Sequence, residues 1–199
     1  MASEGQSLVV FECGPACRCG AECSNRVTQR GIAARVKVVR HRQKGWCLHA
    51  AEDIRRGAFV CQYAGELLTN AEANRRHLIY DCPEYHSSGR PPPALLVVRE
   101  HLPSKTASLR LNIDATHFGN VARFVNHSCD GGNATRVLVR QTGWPLPHVA
   151  LFANREILAG EEITMSYGEV KADESTLQTA PPCYCGSSNC IGLMPRDVA

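Results

Sequence analysis

Apolar and polar residues alternate along several short stretches of the chain, which is the pattern of half-buried β-strands. The first two stretches are residues 34–39 and 58–63, within a strand-rich region that spans residues 34–67. Further strand-like stretches follow at 94–98, 109–113, 135–139, 149–153 and 162–167. Helical periods do not alternate with these strands, so the pattern argues against a doubly wound sheet and predicts a mainly β fold with short helices.

One stretch carries the signature of a helix start. Thr69 and Glu72 have the spacing of a capping box, which predicts a helix from about residue 70 to 79. Residues 81–93 are polar and end in three prolines, which predicts a loop with polyproline II character. Residues 168–182 are also polar and are expected to form a mobile connector.

The composition is that of an ordinary globular protein. Of the 199 residues, 44% are hydrophobic and 21% are charged. No apolar stretch approaches the roughly 20 residues that cross a bilayer, so an integral membrane protein is not expected. Residues 1–6 lack the basic start and apolar core of a secretory signal, so we expect a reducing compartment. The net charge is +3 without a long run of lysine and arginine, so direct nucleic-acid binding is not indicated.

The 11 cysteines are clustered, and in a reducing compartment clustered cysteines indicate metal binding or catalysis sooner than disulfides. Near the C-terminus, Cys183, Cys185 and Cys190 offer three thiolates from one short loop. Zinc in a structural site takes four ligands, so this loop needs one more from elsewhere. Cys129, in the middle of the chain, is the candidate that would tie the C-terminal loop to the body of the fold.

A second cluster lies near the N-terminus and comprises Cys13, Cys17, Cys19 and Cys23. Its spacing is also typical of a metal site. Cys17 and Cys19 are too close together for an unstrained single-ion site, so this window is expected to be part of a larger cluster. The remaining three cysteines, at 47, 61 and 82, are expected to act as small hydrophobic residues.

Common nucleotide-binding and hydrolase motifs are not found in the sequence. The chain has no P-loop, no G-x-S-x-G, and no G-x-G-x-x-G between a strand and a helix. His127, Ser128 and Cys129 are consecutive, but neighbours along a chain seldom face each other, so a His/Cys nucleophilic pair is not supported.

Four segments, taken in order, carry a family resemblance. They are Lys44-Gly45-Trp46, Tyr63-Ala64-Gly65-Glu66, residues 123–129 (RFVNHSC) and residues 160–168 (GEEITMSYG). Followed by Cys-x-Cys-x4-Cys, they resemble a SET-domain histone-lysine N-methyltransferase of the suppressor-of-variegation branch. The match implies a partial pre-SET segment at 1–28, a SET domain at 34–168, the connector at 169–182 and a post-SET zinc knuckle at 183–199. It also implies a β-clip-type fold in which residues 123–129 thread through a loop as a pseudoknot.

The resemblance implies transfer of a methyl group from S-adenosylmethionine to a lysine ε-amine. The implied partners are the histone H3 tail or another lysine-bearing protein, and chromatin, which would place the protein in the nucleus on the chromosome. The implied cofactors are S-adenosyl-L-methionine and Zn2+. An alternative is a catalytically degenerate SET module that serves as a zinc-dependent chromatin interaction domain.

The same resemblance assigns roles to individual residues. Tyr167 and Tyr63 match the tyrosines that line the lysine channel. The cofactor-binding positions are Lys44, Gly45, Trp46, Arg123, Asn126 and His127. The zinc ligands of the knuckle are Cys129, Cys183, Cys185 and Cys190, and the four N-terminal cysteines match part of the pre-SET cluster.

Among the departures of the sequence from the family pattern, three motivate the alternative. Cys47 stands where the family has the second glycine of Gly-x-Gly, so its sulfur would crowd the cofactor. Ala94 stands where a tyrosine is expected. The pre-SET match supplies four cysteines, whereas the branch has nine around three zinc ions.

Overall fold

The structure, a computed structural model, describes residues 8–101, 108–168 and 180–195. The strands are Leu8–Glu12 (β1), Val36–His41 (β2), Gly45–Ala50 (β3), Phe59–Gln62 (β4), Gly65–Leu68 (β5), Leu95–His101 (β6), Ser108–Gly119 (β7), Asn126–His127 (β8), Ala134–Gln141 (β9), His148–Ala153 (β10) and Thr164–Met165 (β11). The α-helices are Asn70–Tyr80 (α1) and Pro83–Ser87 (α2), and short 3₁₀ turns lie at Thr28–Arg30 and Val121–Phe124. The prediction of a mainly β fold with short helices is confirmed. No helix among these residues is long and apolar enough to cross a membrane.

Helix α1 begins where the capping box predicted. The Thr69 side chain accepts a hydrogen bond from the backbone N–H of Glu72 at 3.2 Å. This bond satisfies one of the amide groups that have no partner inside the first turn of a helix. The prediction of a helix at about 70–79 is therefore confirmed, with one further residue at its end.

The prediction of an irregular loop over residues 81–93 is wrong in part, because α2 forms inside it. Pro83 occupies the first turn of this helix, where a missing N–H costs nothing. Tyr85 anchors the helix: its ring is buried edge-on against Tyr80 with centroids 5.1 Å apart, and its hydroxyl donates to the Pro91 carbonyl. One aromatic contact thus orders a segment whose composition is typical of a loop.

Two strands differ from what the sequence predicted. Strand β1 was not predicted, because its apolar residues run consecutively instead of alternating; it forms by parallel pairing with residues 137–141 of β9. The strand expected at 162–167 is reduced to the two residues of β11. The connector predicted at 168–182 lies for the most part outside the described residues.

The strands form one larger and three smaller sheets. The order is β1-β9-β10-β4 in the four-stranded sheet and β5-β7-β6 in the three-stranded sheet. The hairpin β2-β3 and the parallel pair β11-β8 form two-stranded sheets.

The chain divides into two compact units, each built from several segments. The first unit comprises Met1–Asn25, Gln62–Arg123 and Val137–Val149. Within it, Arg76 of α1 forms ion pairs with Asp114 of β7 and Glu66 of β5, which fasten the helix to the three-stranded sheet. A third pair, with Glu72, lies within the helix. The second unit comprises Arg26–Cys61, Phe124–Arg136 and Ala150–Ala199. Its apolar core includes Leu48, Leu151, Ile157 and Ile163, all fully buried.

Candidate active site and metal centre

The second unit holds a cluster of four cysteines. The sulfur atoms of Cys129, Cys183, Cys185 and Cys190 all lie within 4.8 Å of one another. Cys129 follows β8, and the other three come from a C-terminal loop that is closed by a bridge between Pro182 and Leu193. The side chain of Asn189 donates to the Cys129 carbonyl at 3.2 Å, which joins the loop to the middle of the chain.

The spacing of these sulfurs fits a zinc ion. The Sγ atom of Cys129 lies 3.8 Å from those of Cys183 and Cys190. Tetrahedral zinc with Zn–S bonds of about 2.3 Å places its sulfurs about 3.8 Å apart. Burial and the neighbouring cysteines raise the pKa of Cys129 to about 12, which disfavours the thiolate in a metal-free cluster. A bound cation reverses that preference, because metal-bound thiols are deprotonated.

The N-terminal cysteines, in the first unit, are only partly gathered. Cys13, Cys19 and Cys23 bring their sulfurs within 4.8 Å of one another, and Cys17 does not join this group. Three thiolates provide fewer ligands than a closed zinc site needs.

Tyr167 lies just beyond β11 and is held by its hydroxyl. The phenol donates to the Val125 carbonyl at 2.7 Å. Burial raises the pKa of Tyr167 above its usual value, so the phenol keeps its proton at neutral pH although the residue is 36% exposed. Tyr167 can therefore act as a hydrogen-bond donor but not as a phenolate base.

His127 connects Tyr167 to the cysteine cluster. Parallel pairing of β8 with β11 places His127 opposite Met165, two residues before Tyr167. Its Nδ1 accepts from the Tyr167 backbone N–H at 3.1 Å, so the neutral ring carries its proton on Nε2. Nε2 lies 3.3 Å from the sulfur of Cys129, to which it donates. Burial lowers the pKa of His127, which keeps the ring neutral.

Three of the predicted cofactor residues lie around Glu162: Lys44, Trp46 and Asn126. Glu162 forms an ion pair with Lys44 and accepts from the Asn126 side chain at 2.9 Å. Asn126 also lies within hydrogen-bond distance of the Trp46 carbonyl. Burial alone would raise the pKa of Glu162, but the bonds from Lys44 and Asn126 outweigh it and hold the pKa below its usual value. The Lys44 ammonium is thus occupied by a carboxylate of the chain itself.

Glu162 was not predicted as a site residue. It lies inside the segment 160–168 that carried the resemblance, but as one of two consecutive glutamates it had no distinguishing signal. The fold separates the two: Glu161 pairs with Arg155, and Glu162 turns to Lys44.

Gly45 and Cys47, at the start of β3, differ in how exposed their surroundings are. Gly45 has φ of +77°, and a Cβ atom at this residue would meet no atom within 4 Å. The backbone therefore borders open space, where a ligand could approach it closely. Cys47 is fully buried, and its sulfur lies 3.1 Å from the Asn126 side-chain nitrogen.

Tyr63 and Arg123 belong to the first unit, where both hold the segment that leads into β6. The Tyr63 hydroxyl donates to the Ala94 carbonyl at 2.9 Å. The Arg123 guanidinium donates to the Pro92 carbonyl at 3.1 Å. The backbone at Ala94 is thereby fixed by a phenol from elsewhere in the unit.

Comparison with known proteins places the chain in a family. Residues 45–168 match the family model described as SET domain. The chain belongs to the SET-domain family. The match covers well over half of the chain. It begins at Gly45 and ends one residue after Tyr167.

Individual SET-domain relatives are also similar over almost the whole chain. The histone-lysine N-methyltransferase SUVR3 of Arabidopsis thaliana is 52% identical over 99% of this chain and 55% of its own length. The methyltransferase domain of human SETMAR superposes with a TM-score of 0.79 and 32% identity, covering 96% of this chain and 69% of that one.

A third relative has been solved with ligands. KRYPTONITE, in complex with mCHH DNA, an H3(1–15) peptide and SAH, superposes with a TM-score of 0.69 and 31% identity. That match covers 94% of this chain and 35% of the KRYPTONITE chain. The chain spans about half the length of SUVR3.

Proposed function

We propose that this chain is a histone-lysine N-methyltransferase. It transfers a methyl group from S-adenosylmethionine to the ε-amine of a lysine, with the H3 tail as the substrate. The observation that carries the proposal is the protonated, anchored phenol of Tyr167 in a chain of the SET-domain family. The H3 peptide and SAH in the KRYPTONITE structure support the choice of substrate and cofactor.

Two tyrosines act on the lysine in this proposal. A lysine amine attacks only after it has lost its proton, and a desolvated, aromatic setting disfavours the ammonium form. The Tyr167 hydroxyl is fixed because it donates its proton to the Val125 carbonyl. Its oxygen then orients the amine without reorganisation during the reaction. Tyr63 is fixed in the same manner by Ala94.

The cofactor is held by Lys44, Gly45, Trp46, Arg123, Asn126 and His127. S-adenosylmethionine supplies an electrophilic methyl group on a sulfonium. The open space beside Gly45 leaves its backbone accessible to such a ligand. Because Lys44 is paired with Glu162, it contributes through its main chain, and its side chain holds the Glu162 carboxylate that accepts from Asn126.

Zn2+ on Cys129, Cys183, Cys185 and Cys190 has a structural role. These four cysteines would hold the ion and thereby fix the C-terminal loop, and the His127 bridge links Cys129 to the backbone of Tyr167. In domain terms we propose a partial pre-SET segment at 1–28, a SET domain at 34–168, a connector at 169–182 and a post-SET knuckle at 183–199. With the H3 tail as its substrate, we infer that the protein acts on chromatin in the nucleus.

The alternative of a catalytically degenerate module is not favoured. The relatives of the chain are described as histone-lysine N-methyltransferases. Cys47, which motivated the alternative, directs its sulfur to Asn126 in the interior.

Tyr167→Phe tests the proposal, with Tyr85→Phe as a matched control. Both changes remove one phenol that donates to a carbonyl, to Val125 at 2.7 Å and to Pro91 at 3.0 Å. Loss of such a bond costs about 0.5–1.5 kcal/mol of unfolding free energy in either case. We expect only Tyr167→Phe to lower methyl transfer to H3, by roughly 100-fold or more. Equal activity of the two variants would contradict the proposal.

A further inference from the structure

The β2–β3 hairpin carries an unusual concentration of positive charge. Residues 26–51 contain seven of the 22 lysines and arginines of the chain and none of its 19 aspartates and glutamates. Other residues separate these cations along the sequence, so the sequence shows no continuous basic motif. The fold places them on one hairpin and the short segment that leads into it.

Three of these cations are exposed on the hairpin. Lys37 and Arg40 lie on β2, and Arg42 lies in the turn that joins β2 to β3. Within the described ranges 8–101, 108–168 and 180–195, none of the three forms an ion pair. By contrast, Arg35 is paired with Glu52 and Lys44 with Glu162. Within the hairpin, the cations that form no ion pair thus lie on β2 and its turn, while Lys44 of the same turn is neutralised by Glu162.

We propose that this surface, defined by Lys37, Arg40 and Arg42, docks on the phosphate backbone of duplex DNA. Its charge is complementary to a polyanion, and arginine and lysine are the residues that replace counterions on phosphates. Lys37 and Arg40 are three residues apart on β2, so their side chains leave opposite faces of the strand, and each cation meets its own phosphate. The surface is therefore the exposed strand β2 with its turn, which presents cations to both sides.

The details of the hairpin favour a duplex over a single strand. Proteins that bind single-stranded nucleic acid stack bases on open aromatic rings. Trp46, the aromatic residue of the hairpin, is 49% exposed, but the Arg40 guanidinium lies over its ring at 5.9 Å. One face of the ring is therefore taken by a cation that can also meet a phosphate.

Charge on an exposed strand can also serve to prevent pairing with other chains. β2 is the outer strand of a two-stranded sheet in the described part of the chain, so this role applies to it as well. Protection from pairing requires charge of either sign, whereas a phosphate-binding surface requires charge of one sign. The complete lack of acidic residues over 26 positions fits the second requirement.

The test is fluorescence anisotropy of the full, zinc-loaded chain with a labelled duplex of about 20 base pairs, over about 50–200 mM salt. The wild-type chain is expected to bind in the range of about 10⁻⁴–10⁻⁶ M typical of non-specific binding. In Lys37→Gln/Arg42→Gln, affinity at the lowest salt should fall by roughly 10-fold or more. The slope of log K against log salt should shrink by about 1.8, since each phosphate contact contributes about 0.9.

Arg55→Gln/Arg56→Gln is the matched control, because it removes two exposed arginines of the same unit outside the hairpin. It should retain the wild-type slope. The readout is independent of methyl transfer, so its failure is distinct from failure of the proposed function. No binding by the wild-type chain, equal weakening of both variants, or tighter binding of single-stranded RNA or polyglutamate than of the duplex would each overturn the proposal.

Discussion

At the scale of single residues, His127 links the two parts of the proposed site. Its two ring nitrogens engage different partners, the backbone of Tyr167 and the sulfur of Cys129. A backbone amide and the sulfur of a proposed zinc ligand are joined by one planar ring, so a movement of either one displaces the other. This bridge is the physical reason to expect that the metal affects the reaction although it does not touch the substrate.

Sequence reasoning found some of these residues and missed others for identifiable reasons. Cys129 could be suggested from the sequence because three cysteines require a fourth ligand. The pairing of Glu162 with Lys44 could not, because 118 positions separate them and only the fold decides which of two consecutive glutamates faces the lysine.

Buried histidines predict how stability depends on pH. Burial lowers the pKa of His148, in spite of Glu12, so below the ordinary histidine pKa of about 6.5 the unfolded chain binds a proton that the folded chain excludes. The free energy of unfolding should therefore fall as pH drops from about 6.5, by up to about 1.4 kcal/mol per pH unit for this site. Urea unfolding of His148→Gln at pH 7 and 5.5 should show a shallower loss than the wild-type chain. An unchanged pH dependence would contradict this origin.

At the scale of elements, helix α1 and helix α2 show what local signals achieve. The start of α1 was predictable because a cap is a local interaction between residues three apart. Helix α2 was not, because its stability comes from the Tyr80–Tyr85 contact and not from its Pro- and Ser-rich composition. Likewise β1 depends on a partner strand more than 120 residues away.

The cap of α1 gives a prediction at this scale. Thr69→Ala removes the acceptor for the Glu72 amide and should lower the free energy of unfolding by about 0.5–2 kcal/mol. Thr69→Ser keeps the acceptor and should stay close to the wild-type chain. Chemical denaturation of both variants measures the difference, and equal destabilisation by alanine and serine would show that the cap does not contribute.

At the scale of the whole molecule, the mainly β character followed from alternation, while the division into two units did not. Each unit is assembled from separate stretches of the chain. The hydrophobic pattern does not indicate which distant stretches pack together. The same holds for the charge of the hairpin. A net charge of +3 and scattered cations gave no indication of a basic surface until β2 and its turn gathered them.

The central claim is that a metal held by Cys129 and the C-terminal loop orders Tyr167 for methyl transfer. Its most direct test is to strip the full chain of zinc with a chelator, reload one half, and measure metal content and labelled methyl transfer to an H3(1–15) peptide. The stripped chain should lose transfer by about 10–100-fold and regain it on reloading, as for groups that orient a site through a metal ligand. Cys185→Ser should resemble the stripped chain and Cys82→Ser the wild type. Full transfer by a chain shown to contain no zinc would contradict the account.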